Sequence, residues 1–185
     1  MSKNSFKVLR PGINTTFQDL GRDNLYHVGL PFSGAIDKRN FLIANSLVTN
    51  REDDAALEFA YQGPLLEFSV SKTSIVITGN VNFKIIKKDT SEIKGECYRT
   101  YDLNNKDCLD IISTEKSVYG YLSVKGGFQL DKFCNSYSTT VRAEVGPNEG
   151  KKIEIGQTII LNASESSIEK SLEYLNSKIE FIRVI

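Results

Sequence analysis

The 185-residue sequence is poor in the residues that build metal sites. It holds one histidine, His27, which excludes a multi-histidine metal centre. Its three cysteines, Cys97, Cys108 and Cys134, are odd in number and widely spaced, without a CxxC pair. We therefore expect no metal site, and we expect three reduced cysteines that act as small apolar fillers.

The sequence also lacks an excess of charge and any long apolar run. Lys plus Arg and Asp plus Glu each number 23, so no basic field attracts a nucleic-acid backbone. No run approaches the roughly 18 apolar residues that cross a bilayer, and the first residues have no apolar signal core. These absences predict a cytoplasmic protein without a nucleic-acid or membrane partner.

Three cofactor-binding motifs are missing as well. The sequence has no P-loop, no dinucleotide-binding fingerprint and no biotin-attachment Met-Lys-Met motif. The chain alone therefore shows no way of holding ATP or a covalently bound cofactor.

The composition, the length and the strand-like runs of the sequence predict one mainly β domain over residues 1–185. The hydrophobic fraction of 40% and the charged fraction of 25% are typical of a globular protein, and the length suits one core. Residues 1–65 hold most of the Gly/Pro turn signals and are interpreted as loop-rich, whereas residues 73–185 are mostly strands. Short β-branched and aromatic runs predict strands at 74–79, 82–88, 108–114, 119–127, 151–161 and 179–185. In 151–161, Ile153, Ile155, Ile159 and Leu161 fall on one face, and the pattern favours a barrel or sandwich.

One or two helices are expected beside the strands. Asp37 is a suitable N-cap ahead of residues 38–50, where Phe41, Ala44 and Val48 form one apolar stripe. A second helix is predicted at about 167–176 from the spacing of its apolar residues.

The densest polar cluster lies in the glycine-rich zone and comprises Gln18, Asp19, Gly21, Arg22, His27, Ser33, Gly34 and Asp37. Such residues suit a small anionic or amide-bearing molecule, since glycine allows close backbone approach and the polar side chains supply donors and acceptors. Arg22 is a candidate clamp for a carboxylate or phosphate, and Asp19 is a candidate orienting group or base. The structural alternatives stay open: an Asp19–Arg22 ion pair, a hydrogen-bonded His27, and Asp37 as a helix cap.

Three further polar residues are candidate substrate ligands. Asn45 lies within the apolar helix, and Glu58 follows a run of small residues. Either is also explained as a buried polar group held by backbone hydrogen bonds. Arg142 ends a hydroxyl-rich stretch, Ser136 to Arg142, that suits an anion or a solvated loop.

The order of motifs resembles the opening of allophanate hydrolase subunit 2 proteins, the family that includes the C subunit of bacterial 5-oxoprolinase and the carboxyltransferase region of urea carboxylase. The resemblance is carried by residues 8–12 (VLRPG), 16–22 (TFQDLGR), 27–37 (HVGLPFSGAID), 44–48 (ANSLV), 121–127 (YLSVKGG) and 135–139 (NSYST). It covers nearly the whole chain but only the N-terminal half of a typical family member.

This resemblance implies a cyclophilin-like β-barrel domain, followed in the family by a second related domain across a cleft. It implies that Gln18, Asp19, Arg22, His27, Ser33 and Asp37 line that cleft. We predict that Asp19, Arg22 and His27 are catalytic, and that Gln18, Ser33, Gly34, Asp37, Asn45, Glu58 and Arg142 bind substrate. The resemblance further implies a subunit of a 5-oxoprolinase-type complex that opens 5-oxoproline to glutamate with ATP used by the complex. The partners would be subunit-1-like and lactam-handling proteins, with a homo-oligomer as a further expectation.

Two alternatives accompany this hypothesis. The chain is also consistent with the carboxyltransferase component of a biotin-dependent urea carboxylase. A non-catalytic regulatory binding module is the third interpretation.

Overall fold

The structure is a computed structural model that describes residues 4–162 and 169–173. Within these ranges the chain forms eleven strands and one α-helix, α1. In chain order they are β1 Ser5–Arg10, β2 Thr16–Gln18, α1 Lys38–Leu47, β3 Ala56–Ala60, β4 Leu65–Ser69, β5 Thr73–Thr78, β6 Val81–Ile86, β7 Glu92–Lys94, β8 Thr100–Leu103, β9 Cys108–Thr114, β10 Tyr119–Val124 and β11 Thr158–Ile160. Three 3-10 helices, Tyr26–Val28, Val141–Ala143 and Asn148–Gly150, lie in the connections.

The described strands form two antiparallel sheets. The first has the order β11-β1-β4-β9-β6-β7 and the second the order β2-β3-β10-β5-β8. Their inner faces enclose the main core, which is rich in aromatic side chains such as Phe6, Phe17 and Phe68. Phe6 packs against Phe68 with ring centroids 5.5 Å apart, and Phe17 meets Phe128 edge-on at 5.2 Å. Burial of these rings is the main source of the stability of the sandwich.

The mainly β fold with a helix is confirmed, and the strand predictions are largely confirmed. The 108–114 run matches the bounds of β9, and the runs at 74–79, 82–88 and 119–127 correspond to β5, β6 and β10 within a few residues. The described strands are hydrogen-bonded as two sheets rather than as one continuous ring.

Helix α1 lies on the outer face of the second sheet. Asp37 caps it as predicted, since its Oδ1 accepts the Asn40 amide at 3.0 Å. The predicted stripe Phe41, Ala44 and Val48 is fully buried. It packs in a second, smaller apolar cluster that includes Val76 and Tyr121, so the outer face of this sheet is covered as well.

The second predicted helix is wrong where the structure describes it. Ser171 forms an antiparallel bridge with Arg99, and the Leu172 amide donates to the Tyr98 carbonyl at 2.9 Å. Residues 169–173 therefore extend the edge of the sheet beside β8, because pairing with that edge satisfies more backbone groups than one isolated turn. The remainder of 167–176 and all of the predicted strand 179–185 lie outside the described residues.

Three other expectations need correction. The run 151–161 is broken by a turn at Ile155 and Gly156, which leaves the Ile155 side chain 73% exposed while Ile153, Ile159 and Leu161 are buried. The loop-rich zone 1–65 also contains β1, β2, β3 and the start of β4. All three cysteines are free, but Cys134 is exposed and is not an apolar filler.

No helix in the described part of the chain is long and apolar enough to span a bilayer. Among residues 4–162 and 169–173, no three His, Cys, Asp or Glu side chains are grouped as a metal site would require.

Candidate functional site

A row of polar side chains crosses the outer face of the second sheet. Thr16 of β2 pairs with Glu58 of β3, Glu58 pairs with Tyr121 of β10, and Tyr121 pairs with Thr78 of β5. Directly paired residues of antiparallel strands point to the same face, so the four side chains lie side by side. All four are at most 5% exposed. We call this set, together with Gln18 next to Thr16 on the same face, the polar row.

Glu58 is the acidic member of the polar row. Its Oε2 accepts the Tyr121 hydroxyl at 2.7 Å and the Ile36 amide at 2.8 Å. The Tyr121 hydroxyl in turn accepts the Asp37 amide at 2.7 Å. Burial raises the pKa of Glu58 despite these donors, and burial beside Glu58 also raises the pKa of Tyr121. The Glu58–Tyr121 pair therefore holds the chain that enters α1. Because its pKa is raised, the Glu58 carboxyl group ionises less readily than an exposed one.

Gln18 is anchored at the other end of the polar row. Its Nε2 donates to the Thr139 carbonyl at 2.9 Å and to Thr16 Oγ1 at 3.0 Å. A carbonyl oxygen can only accept, so the contact with Thr139 fixes which way the amide points. Gln18 Oε1 then faces away from the anchor, where it is buried and has no partner among the described residues.

The Asp19 carboxylate accepts four hydrogen bonds, three from the segment 136–138 and one from Gly21. Its Oδ1 accepts Ser136 Oγ at 2.8 Å, Ser138 Oγ at 2.5 Å and the Gly21 amide at 2.8 Å. Its Oδ2 accepts the Tyr137 amide at 2.5 Å. Asp19 is 3% exposed, so these four donors compensate the buried charge and join the turn after β2 to the segment 136–138.

Arg22 lies beside Asp19 and is also buried, with 2% exposure. Its Nη1 donates to Thr140 Oγ1 at 2.8 Å, its Nη2 donates to the Ser138 carbonyl, and Phe133 lies 5.6 Å from its guanidinium carbon. Burial lowers the pKa of Arg22, and the nearby Asp19 charge opposes that shift. Both terminal amino groups are engaged by protein acceptors, so only Nε remains without a described partner.

The loop 31–35 is held against the Asp19–Arg22 turn at very short range. The Arg22 amide donates to the Phe32 carbonyl at 2.8 Å, and the Ala35 amide donates to the Asp19 carbonyl at 2.9 Å. Gly34 has φ +90°, and a Cβ there would lie 2.9 Å from the Gly21 nitrogen. Only glycine fits such a position, which explains why Gly34 and Gly21 face each other across this contact. Ser33 joins the same assembly through Thr140, at 2.5 Å between the hydroxyl oxygens.

Asp37 and Asn45 have structural contacts that account for their polar groups. The Asp37 carboxylate accepts the backbone amide and the side-chain amide of Asn40. Asn45, fully buried, donates to the Asp54 carbonyl at 2.7 Å and accepts Ser123 Oγ at 2.8 Å. Their roles as substrate ligands stay predictions.

The structure brings most of the predicted residues together but leaves three apart, of which Asn45 lies on α1 with Asp54 and Ser123 as its partners. Gln18, Asp19, Arg22, Ser33, Gly34, Asp37 and Glu58 are linked through the loop 31–37 and the segment 136–140. His27 and Arg142 are exposed, each within a short 3-10 helix.

Two residues that hold the site are absent from the sequence predictions. Tyr121 carries the hydroxyl that joins Glu58 to α1, and Thr140 joins Arg22 to Ser33. Tyr121 lies within a predicted strand run, and Thr140 lies within the hydroxyl-rich stretch 136–142, but neither position carries a sequence signal that assigns it to the site.

Known proteins share this arrangement of strands and sequence. The family model described as "Carboxyltransferase domain, subdomain A and B" matches residues 28–183. Urea amidolyase of Saccharomyces cerevisiae is 30% identical over 176 residues, which are 95% of this chain and 9% of that protein. The C subunit of 5-oxoprolinase from Haemophilus influenzae is 32% identical over 144 residues, which are 78% of this chain and 45% of that protein. The chain thus spans less than half the length of either relative.

A solved structure shows the same fold. The urea carboxylase of Kluyveromyces lactis superposes with a TM-score of 0.81 at 29% identity, covering 93% of this chain and 15% of that one.

Proposed function

The chain belongs to the family of carboxyltransferase domains with subdomains A and B, and we propose that it forms one wall of an active site that acts on a small amide or lactam in a 5-oxoprolinase-type complex. The observation that carries this proposal is the buried polar assembly in which the Asp19–Arg22 turn, the loop 31–37 and the polar row meet. Relatives of this chain are subunits or domains of enzymes named 5-oxoprolinase and urea amidolyase.

The chemistry of such a substrate explains why a rigid polar wall is useful. Resonance makes an amide unreactive, and an enzyme lowers the barrier by fixing donors and acceptors where charge develops. Asp19 and Arg22 are immobilised by six hydrogen bonds in total, four to the carboxylate and two from the guanidinium. We infer that this turn positions neighbouring groups.

ATP and partner proteins belong to the same proposal. In a 5-oxoprolinase-type complex this chain would act together with a subunit-1-like protein and a lactam-handling protein, and the complex would consume ATP. The relatives named as 5-oxoprolinase subunits support the expectation of other subunits.

Carboxyl transfer to urea is the second candidate. The match to urea amidolyase extends over 95% of this chain, against 78% for the Haemophilus influenzae protein. In this alternative the partners would be a biotin carboxylase and a biotin carrier.

A reconstituted assay separates the two candidates. The protein is mixed with the other 5-oxoprolinase-type subunits, ATP and 5-oxoproline, and glutamate is measured. A parallel mixture contains a biotin carboxylase, a biotin carrier, ATP, bicarbonate and urea. We expect glutamate in the first mixture, and absence of glutamate from the complete assembly would contradict the proposal.

A matched glycine pair tests the role of the close-packed loop. Gly34→Ala forces a Cβ against the Gly21 backbone, whereas Gly29→Ala adds a Cβ at a similar φ of +81° with nothing within 4 Å. Displacement of a positioned loop by about 1 Å costs roughly a hundredfold in rate. We expect such a loss for Gly34→Ala and a much smaller one for Gly29→Ala. Equal rates in the two folded variants would argue against a positioning role for the loop.

A further inference from the structure

Three hydrogen-bonding side chains form a line from the interior to the surface. Arg22 Nη1 donates to Thr140 Oγ1 at 2.8 Å, and Thr140 Oγ1 lies 2.5 Å from Ser33 Oγ. Arg22 is 2% exposed, whereas Thr140 and Ser33 are half-buried. We call these three residues the hydroxyl relay. It begins at a desolvated cation and ends at a hydroxyl group near the molecular surface.

The direction of the hydrogens in the hydroxyl relay follows from the partners of Thr140. A guanidinium group only donates, so Thr140 Oγ1 accepts from Arg22. If Ser33 donated to Thr140, the Thr140 hydrogen would have no acceptor among the described residues. A hydroxyl that accepts from a cation is also a stronger donor to the next group. Thr140 therefore donates to Ser33, which leaves the Ser33 hydrogen to point away from the relay.

The Thr140 hydroxyl is not needed to hold the backbone of its own segment. The Thr140 amide donates to the Val145 carbonyl at 2.8 Å, and the Thr140 carbonyl accepts the Ala143 amide at 3.1 Å. Thr140 and Val145 also form an antiparallel bridge. The main chain at Thr140 is thus fixed by backbone contacts, and the side chain serves the contacts with Arg22 and Ser33.

Ser33 has a backbone conformation that glycine would adopt more easily. Its φ is +57°, in the left-handed region, and the next residue, Gly34, has φ +90°. A side chain at a left-handed position is unfavourable, and such residues are concentrated at ligand-contacting sites. In this conformation the Ser33 hydroxyl lies against Thr140, so the loop holds the end of the hydroxyl relay in one place.

The hydroxyl relay gives the buried Arg22 charge a route to the surface. Nη1 and Nη2 of Arg22 donate to Thr140 and to the Ser138 carbonyl, so neither nitrogen is directed to a ligand. In a site of low dielectric constant, a cation polarises the hydrogen bonds attached to it. The Ser33 hydroxyl is therefore a stronger donor than an isolated serine, and it suits an oxygen that gains negative charge during a reaction.

We propose that Ser33 donates a hydrogen bond to the carbonyl oxygen of the small amide or lactam substrate, and that Thr140 is the positioning residue that orients this donor. The inference rests on the proposed function for the class of substrate and specifies the atom that meets its oxygen. Ser33 keeps its proton and acts as a donor, not as a nucleophile.

Kinetics of the reconstituted 5-oxoprolinase-type assembly test the two roles. Ser33→Ala should lower kcat roughly a hundredfold and change KM less, since the hydrogen bond strengthens as charge develops on the oxygen. Thr140→Val keeps the shape but removes the hydroxyl, and we expect a loss of about tenfold. Thr140→Ser retains the hydroxyl and should restore most of the rate. Thr158→Val, at an exposed position on β11, is the matched control and should leave the rate unchanged.

A double variant separates positioning from a structural role of Thr140. If Thr140 acts through Ser33, the variant with both Ser33→Ala and Thr140→Val should lose no more rate than Ser33→Ala alone. Multiplication of the two losses, or a Thr140→Ser variant as slow as Thr140→Val, would overturn the positioning role. Should Ser33→Ala fail to fold, Ser33→Gly removes the same hydroxyl in a residue that favours this conformation. A parental kcat in the folded Ser33 variant would overturn the donor role.

Binding to the full 15N-labelled chain gives a measurement that does not depend on turnover. The probes are 5-oxoproline and proline, which lacks the lactam oxygen. We expect saturable shifts of the Gly34 amide with 5-oxoproline but not with proline, and binding about tenfold weaker in Ser33→Gly. Such shifts without glutamate from the complete assembly would support the donor and contradict the 5-oxoprolinase proposal. Glutamate formation that Ser33→Gly leaves unimpaired would do the reverse, and absence of both glutamate and shifts would overturn both.

Discussion

The two faces of the second sheet use neighbouring residues for opposite purposes. On the inner face, Phe17, Leu57, Leu122 and Ile77 pair across the four strands and are fully buried in the main core. On the outer face, one chain neighbour of each of these residues belongs to the polar row, namely Thr16, Glu58, Tyr121 and Thr78. The same backbone register therefore aligns an apolar row and a polar row, one on each side.

The two rows stabilise the fold in different ways. The inner row contributes through burial of apolar area, and this contribution grows with the area that is removed from water. The outer row is buried under α1 and the loop 33–37, so each donor and acceptor needs a partner. Stability therefore comes mainly from one face, and the chemical capability proposed above comes from the other.

The largest effect is expected on the inner face. Phe17→Ala removes a fully buried ring that packs on Phe128, and we expect a loss of about 3–5 kcal/mol in the free energy of unfolding. Chemical denaturation measures it. Ile155→Ala, at a position 73% exposed, is the control and should change stability by less than about 0.5 kcal/mol. A small loss for Phe17→Ala would contradict the assignment of this row to the core.

A smaller loss is expected on the outer face. Tyr121→Phe keeps the ring but removes the hydroxyl that joins Glu58 to the Asp37 amide. Because the part-buried Asp37 amide then loses its acceptor and the buried Glu58 carboxyl loses a donor, we expect a loss of about 1–3 kcal/mol by chemical denaturation. The control is Tyr26→Phe, where the side chain is 72% exposed. Equal stability of the two variants would indicate that the hydroxyl contacts contribute nothing.

The pH dependence of stability also distinguishes the two faces, because Glu58 on the outer face can ionise whereas the inner row has no ionisable side chain. Burial raises the pKa of Glu58 in the folded state, so its contribution to stability is complete below the unfolded pKa and is lost as pH rises through the folded pKa. Glu58→Gln cannot lose a proton. The stability of the variant minus that of the parent should therefore increase with pH across this window, by at most about 1.4 kcal/mol per pH unit. Denaturation at a series of pH values measures the slope, and a decrease with pH would refute the sign.

The smallest effect is expected where the outer face meets the helix. Asp37→Ala removes the N-cap of α1, and we expect a loss of about 1 kcal/mol in thermal or chemical denaturation. Asp23→Ala, at an exposed position outside the helix, is the matched control. A loss for the control as large as that for Asp37→Ala would point to a general charge effect.

The sequence predicts the fold best where local signals agree with burial. The run 108–114 is bounded by turn residues and matches β9, and the Asp37 cap with its apolar stripe locates α1. The sequence predictions omit β1 although Phe6 and Val8 alternate with polar residues, because the glycine and proline signals nearby favour loops. β3 has a weaker signal, since Ala56 and Ala60 favour strands little.

The candidate site is less predictable because its contacts are long-range. Gln18, Asp19 and Arg22 are recognisable as a polar cluster, but their partners Ser136 to Thr140 lie more than a hundred positions away in sequence. The residues next to Asp19 and Tyr121 in sequence do not indicate that Asp19 accepts four hydrogen bonds or that Tyr121 donates to Glu58. The register between strands decides both, and register is a property of the assembled sheet.

The alternation on the second sheet also constrains how the chain reaches its native state. A slip of one residue between β3 and β10 would turn Glu58 toward the aromatic core and Leu57 toward the helix. Such a mispaired state buries an uncompensated carboxylate, so it lies well above the native pairing in free energy and is a poor kinetic trap. The polar row thus disfavours misfolded topologies, in a chain whose strands come from distant parts of the sequence and are expected to associate slowly.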